Sequence, residues 1–291
     1  MSLNKKNSNF IIHFIGIGGI GMSGIAELML DQGYIIQGSD LVFNTTIKRL
    51  KDRGVKIYQG HKKSNINNIS AAVFSSAIGQ SNPEIQKCKE LSIPLVSRAE
   101  MLAELMRNKN AIAIAGSHGK TTTTSLIGTI LENAKLDPTI INGGIINAYS
   151  KNNRMGLGKW IVVEADESDG SFLRLPHKIN IITNIDIEHL DYYKTKINLV
   201  NSFQKFITNL PFDGYSIICI DNNNLKKLSK RIKTRKIITY AHKDQKANVR
   251  ILKIEFDDMK SKFSIFIRKN SIPHYSGIYE FYINLLGKHN I

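Results

Sequence analysis

The stretch Ala111-Ile112-Ala113-Ile114-Ala115-Gly116-Ser117-His118-Gly119-Lys120-Thr121-Thr122-Thr123-Thr124 constrains this chain more than any other. Its apolar start fits a buried strand, the glycines fit a tight turn, and Ser125, Leu126, Ile127, Ile130 and Leu131 continue as a helix. Strand, glycine turn, Gly-Lys-Thr and helix in that order form a phosphate cradle. Backbone N–H groups converge on an anion at the positive end of the helix, Lys120 reaches β/γ-phosphates, and the Thr121 hydroxyl can hold Mg2+. The spacing is short, because Gly116 stands three residues before Gly119 where the general motif has about five. A plain strand-to-helix turn with a surface lysine accounts for Gly-Lys-Thr but not for all four parts in order.

A chain of 291 residues can build two domains of ordinary size. The polar break Arg107-Asn108-Lys109-Asn110 sets the expected boundary, with domains at 1–108 and 109–291. No apolar run approaches the roughly 20 residues that span a bilayer, so membrane insertion is not expected. Lys5 and Lys6 precede an apolar stretch from Phe10 to Leu30 that imitates a signal peptide. Its glycines, His13 and Glu27 make it part of the fold instead. Cys88 and Cys219 lie far apart without metal-like spacing and read as free thiols of a cytoplasmic protein.

The formal charge of +16 raises a nucleic-acid reading. Much of it falls between Lys226 and Lys269, where Lys226, Lys227, Lys230, Arg231, Lys233, Arg235 and Lys236 face only Asp244, Glu255, Asp257 and Asp258. Lys, Asn and Ile are abundant throughout, so a solvated surface is the favoured reading and no nucleic-acid partner is expected. A small polyanionic substrate would profit from the same field.

Phe10 to Ile15 reads as a buried strand that runs into Gly16-Ile17-Gly18-Gly19-Ile20-Gly21-Met22-Ser23-Gly24 and then a helix ending near Gly33. Such a unit places a diphosphate at a helix N-terminus, and Asp40, about 20 residues on, stands where dinucleotide folds keep an acid for a ribose hydroxyl. Taken alone, this is a Rossmann-like unit of the kind a dehydrogenase uses. A helix at Thr45–Arg53 and strands at Val55–Tyr58 and Ala71–Phe74 keep the α/β rhythm. Ser39, His61, Ser75 and Ser76 therefore follow strand ends, the edge where open parallel sheets bind ligands.

The second half repeats the alternation. Trp160–Val163 delivers Glu164-Ala165-Asp166-Glu167-Ser168-Asp169, and Ile179–Asn184 delivers Asp186, Glu188, His189 and Asp191. Clustered carboxylates repel unless a cation sits among them. Glu164, first beyond its strand, is the best-placed metal ligand, while Asp166, Asp169, Asp186 and Asp191 suit helix caps and solvated positions better. A helix at Lys196–Leu210, strands at Tyr215–Ile220 and Lys236–Tyr240, a hairpin of Val249–Phe256 with Lys262–Arg268, and a last strand at Tyr279–Leu286 follow. The expected fold is α/β: a Rossmann-like domain followed by a P-loop-type ATPase domain.

With these residues in place the chain resembles the Mur ligases. The resemblance covers nearly the whole sequence and is carried by His13–Gly24, Gly38-Ser39-Asp40, Arg98–Leu102, the short Gly116–Thr122 loop, Glu164–Phe172, Thr183–Asp186 with Glu188–Asp191, and Gly287-Lys288-His289-Asn290. It implies an ATP- and Mg2+-dependent ligation of L-alanine to the carboxylate of UDP-N-acetylmuramate through an acyl phosphate. It places the sugar-nucleotide diphosphate at Gly18, Gly19, Ile20, Gly21 and Met22, with Ser39, Asp40, His61, Ser75 and Ser76 beside it. ATP would lie on Gly116, Ser117, His118, Gly119, Lys120, Thr121, Thr122 and Asn184, with His289 and Asn290 at the adenine. Thr121 and Glu164 would bind one Mg2+, His189 would help hold a second, and His118 would approach the sugar carboxylate. Some Mur ligases carry a carbamylated lysine beyond that histidine. Here Gln204 stands near the place and Lys205 only beside it, so neither takes that role. The resemblance also implies a continuation beyond Ile291 into a third, amino-acid-binding domain, which makes a shortened, poorly active chain the expectation.

Overall fold

Alternating β-branched runs and amphipathic segments set the first sheet. The computed structural model describes residues 10–75, 77–146, 151–257 and 260–291. Strands β1 (Ile11–Ile15), β2 (Ile35–Asp40), β3 (Lys56–Gln59), β4 (Ala71–Phe74) and β5 (Leu95–Ser97) pair in parallel in the order β3-β2-β1-β4-β5. The order reverses between β1 and β4, and such a switch point opens a crevice at the carboxyl ends of the strands. Helices α1 (Ile20–Asp31), α2 (Thr45–Asp52), α3 (Pro83–Glu90) and α4 (Arg98–Met106) connect them.

Local chemistry fixes where the helices start. Asn44 and Asn82 accept backbone N–H bonds at the heads of α2 and α3, Pro83 opens α3, and Ser97 with Glu100 forms a reciprocal capping box on α4. Helix α1 differs, because Gly19 at its N-cap offers no side chain. Ile12, Phe14, Ile15, Ile25, Leu28 and Met29 form the buried core of this unit.

The chain continues through β6 (Asn110–Ala115), α5 (Lys120–Asn133), β7 (Thr139–Ile146), β8 (Lys151–Arg154), β9 (Trp160–Glu164) and β10 (Ile179–Ile182). Then come α6 (Leu190–Tyr193), α7 (Lys196–Thr208), β11 (Tyr215–Cys219), α8 (Asn223–Arg231), β12 (Lys236–Ala241), β13 (Val249–Asp257), β14 (Lys260–Ile272) and β15 (Tyr275–Ile283). Contacts group the chain into two compact units, one holding Met1–Lys109 with Ile127–Val162 and the other Asn110–Leu126 with Val163–Ile291. The segment 127–162 joins the first unit because β7 and β8 pack on α1, and Asn153 Nδ2 donates to the Gly24 carbonyl at 3.0 Å. No strand was expected between α5 and Trp160. The Asn142-Gly143-Gly144 run has low strand propensity, and the antiparallel pairing of β7 with β8 overrides it.

In the second unit the order is β15-β14-β13-β12-β11-β10-β6, parallel from β6 to β13 and antiparallel beyond. The last strand starts at Tyr275, not at the expected Tyr279, and stops at Ile283. Its pairing with β14 carries Ser276 and Gly277 into the ladder despite their weak preference for it. Across this parallel sheet, β6 and β10 align Ala115 with Ile182, so both deliver their next residues to one edge.

Under that edge Phe172, Phe203 and Phe206 are buried together, with Phe172 lying 5.4 Å from Phe203 and 4.9 Å from Phe206 between ring centroids. The His177 ring sits 4.3 Å from Phe206, and His177 Nε2 and Asn180 Nδ2 both face the Phe206 carbonyl. We expect Phe206→Ala to destabilise this unit by about 3–5 kcal/mol, read as a lowered urea midpoint at unchanged slope.

Candidate functional site

The turn after β6 is held by backbone that only glycine adopts easily, with φ of +137° at Gly116 and +83° at Gly119. A Cβ on Gly116 would lie 2.2 Å from Thr183 Oγ1 and 3.0 Å from the Asn184 carbonyl oxygen, so the turn is pressed against the end of β10. Asn184 staples it there. Its side chain accepts from His118 N at 2.8 Å and donates to the His118 carbonyl at 3.0 Å, and its own carbonyl accepts from Ser117 N at 3.3 Å. Thr183 Oγ1 donates to the His118 carbonyl at 2.6 Å, and the Ser117 hydroxyl accepts from Asp186 N at 2.9 Å. Asn184, expected as an ATP contact, has this structural task in full view.

Lys120 opens α5 and folds back over the turn, donating to the Gly116 carbonyl at 2.6 Å. Its ammonium also stands 3.0 Å from the carboxylate of Glu167, which is 1 % exposed. Beside it, the Thr121 hydroxyl donates to Glu164 Oε2 at 3.0 Å. Thr121 and Glu164, expected to share a metal ion, stand side by side, whereas Glu167 is a residue that sequence reasoning missed. Nothing in Glu164-Ala165-Asp166-Glu167-Ser168-Asp169 marks it out among its neighbouring acids; in the structure its carbonyl accepts from Gly170 N at 3.1 Å, where Gly170 is left-handed (φ +70°) and opens a 3-10 turn. Asp166 and Asp169, expected at helix caps or in solvent, are half-buried and accept from Ser168 N and Ser171 N at 3.0 and 2.9 Å in local turns.

Glu167, Glu188 and His189 each offer a ligand atom, and these atoms lie within 4.8 Å of one another. Two carboxylates and an imidazole are a donor set for a divalent cation. The fit is supported from inside the protein, since Glu167 Oε2 is buried and accepts no hydrogen bond despite the nearby ammonium. His189 sits at φ +56°, an uncommon backbone region for a non-glycine residue and one that gathers at functional sites. His118 Nε2 lies 3.4 Å from Asp186 Oδ2 and 3.3 Å from Glu188 Oε1, on the exposed side of the same cluster. Thr122 is exposed on the first turn of α5. Gln204 lies on α7 with a buried Oε1 that accepts no hydrogen bond.

In the first unit the glycine turn is tied to β2. Gly16 N and Ile17 N donate to the Ser39 carbonyl at 2.8 and 3.0 Å, and Gly18 N donates to Asp40 Oδ2 at 2.8 Å. A Cβ on Gly21 would lie 2.8 Å from Arg98 Nη1, which puts a guanidinium over the head of α1, where Gly19 leaves no capping side chain. Ile20 is exposed there and Met22 is buried. Ser39 and His61 turn toward Glu84, with Ser39 Oγ 2.6 Å and His61 Nδ1 2.8 Å from Glu84 Oε2. Ser75 follows β4 directly. Ser76 lies outside the described residues, and so does the His289 side chain. Asn290 closes a 3-10 turn with Nδ2 donating to the Leu286 carbonyl at 2.7 Å, beside a cavity of about 430 Å³ lined by Phe256, Leu286, Gly287 and Lys288.

The basic segment is partly paired, with Lys226 on Asp244, Lys253 on Glu255 and Lys262 on Glu280. Both cysteines are free. Among the described residues no helix is long and apolar enough to cross a membrane.

Burial pushes the Glu167 carboxyl pKa up, and the Lys120 charge offsets this only in part. A raised folded-state pKa means that the stability linked to Glu167 is present in full below the unfolded value of about 4.3 and is lost as pH rises through the folded one. We expect urea midpoints of the wild-type chain to lose this contribution between pH 4 and pH 8 and those of Glu167→Gln not to. Equal slopes for the two would contradict the burial argument.

Two family models match, described as "Mur ligase family, catalytic domain" over residues 11–110 and "Mur ligase middle domain" over residues 114–291. A UDP-N-acetylmuramate–L-alanine ligase of Bartonella henselae is 48 % identical over 281 residues, covering 97 % of this chain and 59 % of that protein. The enzyme of that name from Methylorubrum extorquens is 49 % identical over 279 residues, with 96 % and 59 % covered. The solved structure of the UDP-N-acetylmuramate–alanine ligase of Thermotoga maritima superposes with a TM-score of 0.81 at 25 % identity, over 96 % of this chain and 61 % of that one. The chain thus spans about three-fifths of the length of the curated relatives it matches.

Proposed function

Since the chain belongs to the Mur ligase family, we propose that it is the nucleotide-handling part of an ATP-dependent ligase that joins L-alanine to the carboxylate of UDP-N-acetylmuramate, a step of peptidoglycan precursor synthesis. The observation that carries this is the Gly116–Thr121 turn, with Lys120 on Glu167 and Thr121 on Glu164 beside Glu188 and His189. Relatives that carry the name of this activity at nearly half identity supply the substrate. Residues 1–108 are read as the sugar-nucleotide part and 109–291 as the ATP part. UDP-N-acetylmuramate and ATP are highly charged and do not cross a bilayer unaided, in keeping with a cytoplasmic reaction.

In this reading the backbone N–H groups of Gly119 to Thr121 hold the phosphates, while those of Ser117 and His118 stay on Asn184, and Lys120 exchanges its contact with the Gly116 carbonyl for oxygens of the triphosphate. Phosphoryl transfer to a carboxylate asks the protein for alignment and charge neutralisation rather than covalent help. Lys120 meets the charge on the transferred group. Thr121 and Glu164 would hold one Mg2+, and Glu167, Glu188 and His189 would hold a second, which neutralise phosphate charge when bound. His118, next to Asp186 and Glu188, is placed to position the carboxylate that receives the phosphoryl group. The glycine turn at Gly18–Met22, under Arg98, holds the sugar-nucleotide diphosphate. A nicotinamide-dependent dehydrogenase would use the first turn but has no task for the second.

We expect Lys120→Ala to weaken ATP binding at least tenfold while UDP-N-acetylmuramate binding changes less than twofold, measured by isothermal titration on the chain as it stands. Parallel loss of both affinities would contradict the assignment of two separate sites.

A further inference from the structure

The first sheet buries a carboxylate for which the reading above has no task. Glu84 stands in the first turn of α3 with its side chain fully buried, and the neighbouring strands surround it with donors. Ser39 Oγ donates to Oε2 at 2.6 Å, His61 Nδ1 lies 2.8 Å from the same oxygen, and Asn65 Nδ2 donates to Oε1 at 2.7 Å. His13 Nε2 is 3.4 Å from Oε1.

The hydrogen positions follow from what each group can do. Gln37 Nε2 donates to the Asn65 carbonyl at 3.3 Å, so the atom facing His13 Nδ1 at 3.2 Å is an amide nitrogen. His13 Nδ1 therefore accepts, and its Nε2 carries the proton toward Glu84. The Ser39 hydroxyl hydrogen is already directed at Glu84, so at the 3.0 Å contact between Ser39 Oγ and His61 Nδ1 the imidazole is again the donor. Donors thus occupy both carboxylate oxygens. Burial alone would raise the Glu84 pKa, yet the hydrogen bonds from His13 and Ser39, the electrostatic attraction of His13 and the hydrogen bond from Asn65 outweigh it and hold the carboxyl below its ordinary range.

With Nδ1 committed, His61 has one polar atom left, Nε2. Its side chain is 10 % exposed, and among the described residues Nε2 takes no hydrogen bond yet is not among the solvent-excluded polar atoms. It stands just past β3, where Gly60 N donates to the Asp40 carbonyl at 2.8 Å, and Asp40 in turn holds Gly18 of the glycine turn. The strands β1, β2 and β3 are adjacent, so His61 lies roughly 10 Å along the sheet from the turn. That is the reach from a diphosphate through a ribose to its base, with Asp40 at the ribose between them.

We propose that Glu84 is a positioning residue that locks His61 with Nδ1 as donor, so that Nε2 accepts the imide N–H of a uracil ring. This deepens the sugar-nucleotide reading and rests on it. Cytosine presents a bare ring nitrogen at the same place, and two acceptors facing each other leave both unpaired, a loss of about tenfold in affinity.

Two measurements on the chain test it. Nitrogen-15 imidazole spectra at pH 8 are expected to give His61 protonated on Nδ1, with the Nε2 resonance moving when UDP is added. Titration is expected to give UDP at least tenfold tighter binding than CDP, and Glu84→Gln, matched in shape, is expected to bring that preference below threefold. A His61 protonated on Nε2 in the wild-type chain overturns the proposal without recourse to any variant, as does a Glu84→Gln protein that keeps the full UDP preference. A wild-type chain that bound neither nucleotide would instead overturn the sugar-nucleotide reading and the uracil contact together, while the spectrum would still decide whether Glu84 sets the tautomer.

Discussion

The contact on which the second unit depends is the ion pair between Lys120 and Glu167. Burying a lone carboxylate costs several kcal/mol even after the protein relaxes around it, and a lone ammonium costs as much. Each is tolerable because the other is 3.0 Å away, with left-handed glycines nearby in the chain on either side, Gly119 before Lys120 and Gly170 after Glu167. The pair does not cancel perfectly, since Glu167 keeps a raised pKa. Under the proposed function, that residual cost leaves Lys120 something to gain from a triphosphate. A lysine fully satisfied by its own protein would gain little from a triphosphate, whereas one held by a strained acid and two backbone carbonyls has interactions to exchange.

The same logic runs through the turn itself. Asn184, Thr183 and Ser117 hold the Gly116–Lys120 backbone against the end of β10 through five hydrogen bonds among them. A preorganised cradle does not need to reorganise when charge moves, and this is the property that makes oriented backbone dipoles effective in catalysis. Parallel strands serve the purpose because the register that aligns Ala115 with Ile182 puts Gly116 and Thr183 side by side.

Much of this was legible in the sequence because it rests on local chemistry. The Ala111–Thr124 stretch specifies strand, turn and helix through residues close together, and Thr121 meeting Glu164 follows once β6 and β9 are both strands ending at one edge. Glu167 and Glu188 were not legible, because each is one acid among several in its loop and only the folded loops, which carry the left-handed Gly170 and His189, bring them together. The β7 and β8 strands were missed for a related reason: glycines at 143 and 144 read as breakers until a partner strand supplies the hydrogen bonds. Ser39 and His61 were picked for their place beyond strand ends. What the sequence could not convey is that Glu84, more than twenty residues from His61, arrives from α3 to bind both.

The two units use buried carboxylates in opposite ways. Glu84 is surrounded by donors that together overcome its burial and lower its pKa, which suits a fixed anchor. Glu167 has one cation, fewer hydrogen bonds and a raised pKa, which suits a group whose environment must change as cations and phosphates come and go. Donor count decides between the two outcomes: a carboxylate that accepts several N–H and O–H bonds is stabilised as the anion whatever its depth, while one that relies on a single mobile charge stays responsive to it. The rigid anchor therefore suits the proposed base contact, and the responsive one the proposed site of phosphoryl transfer.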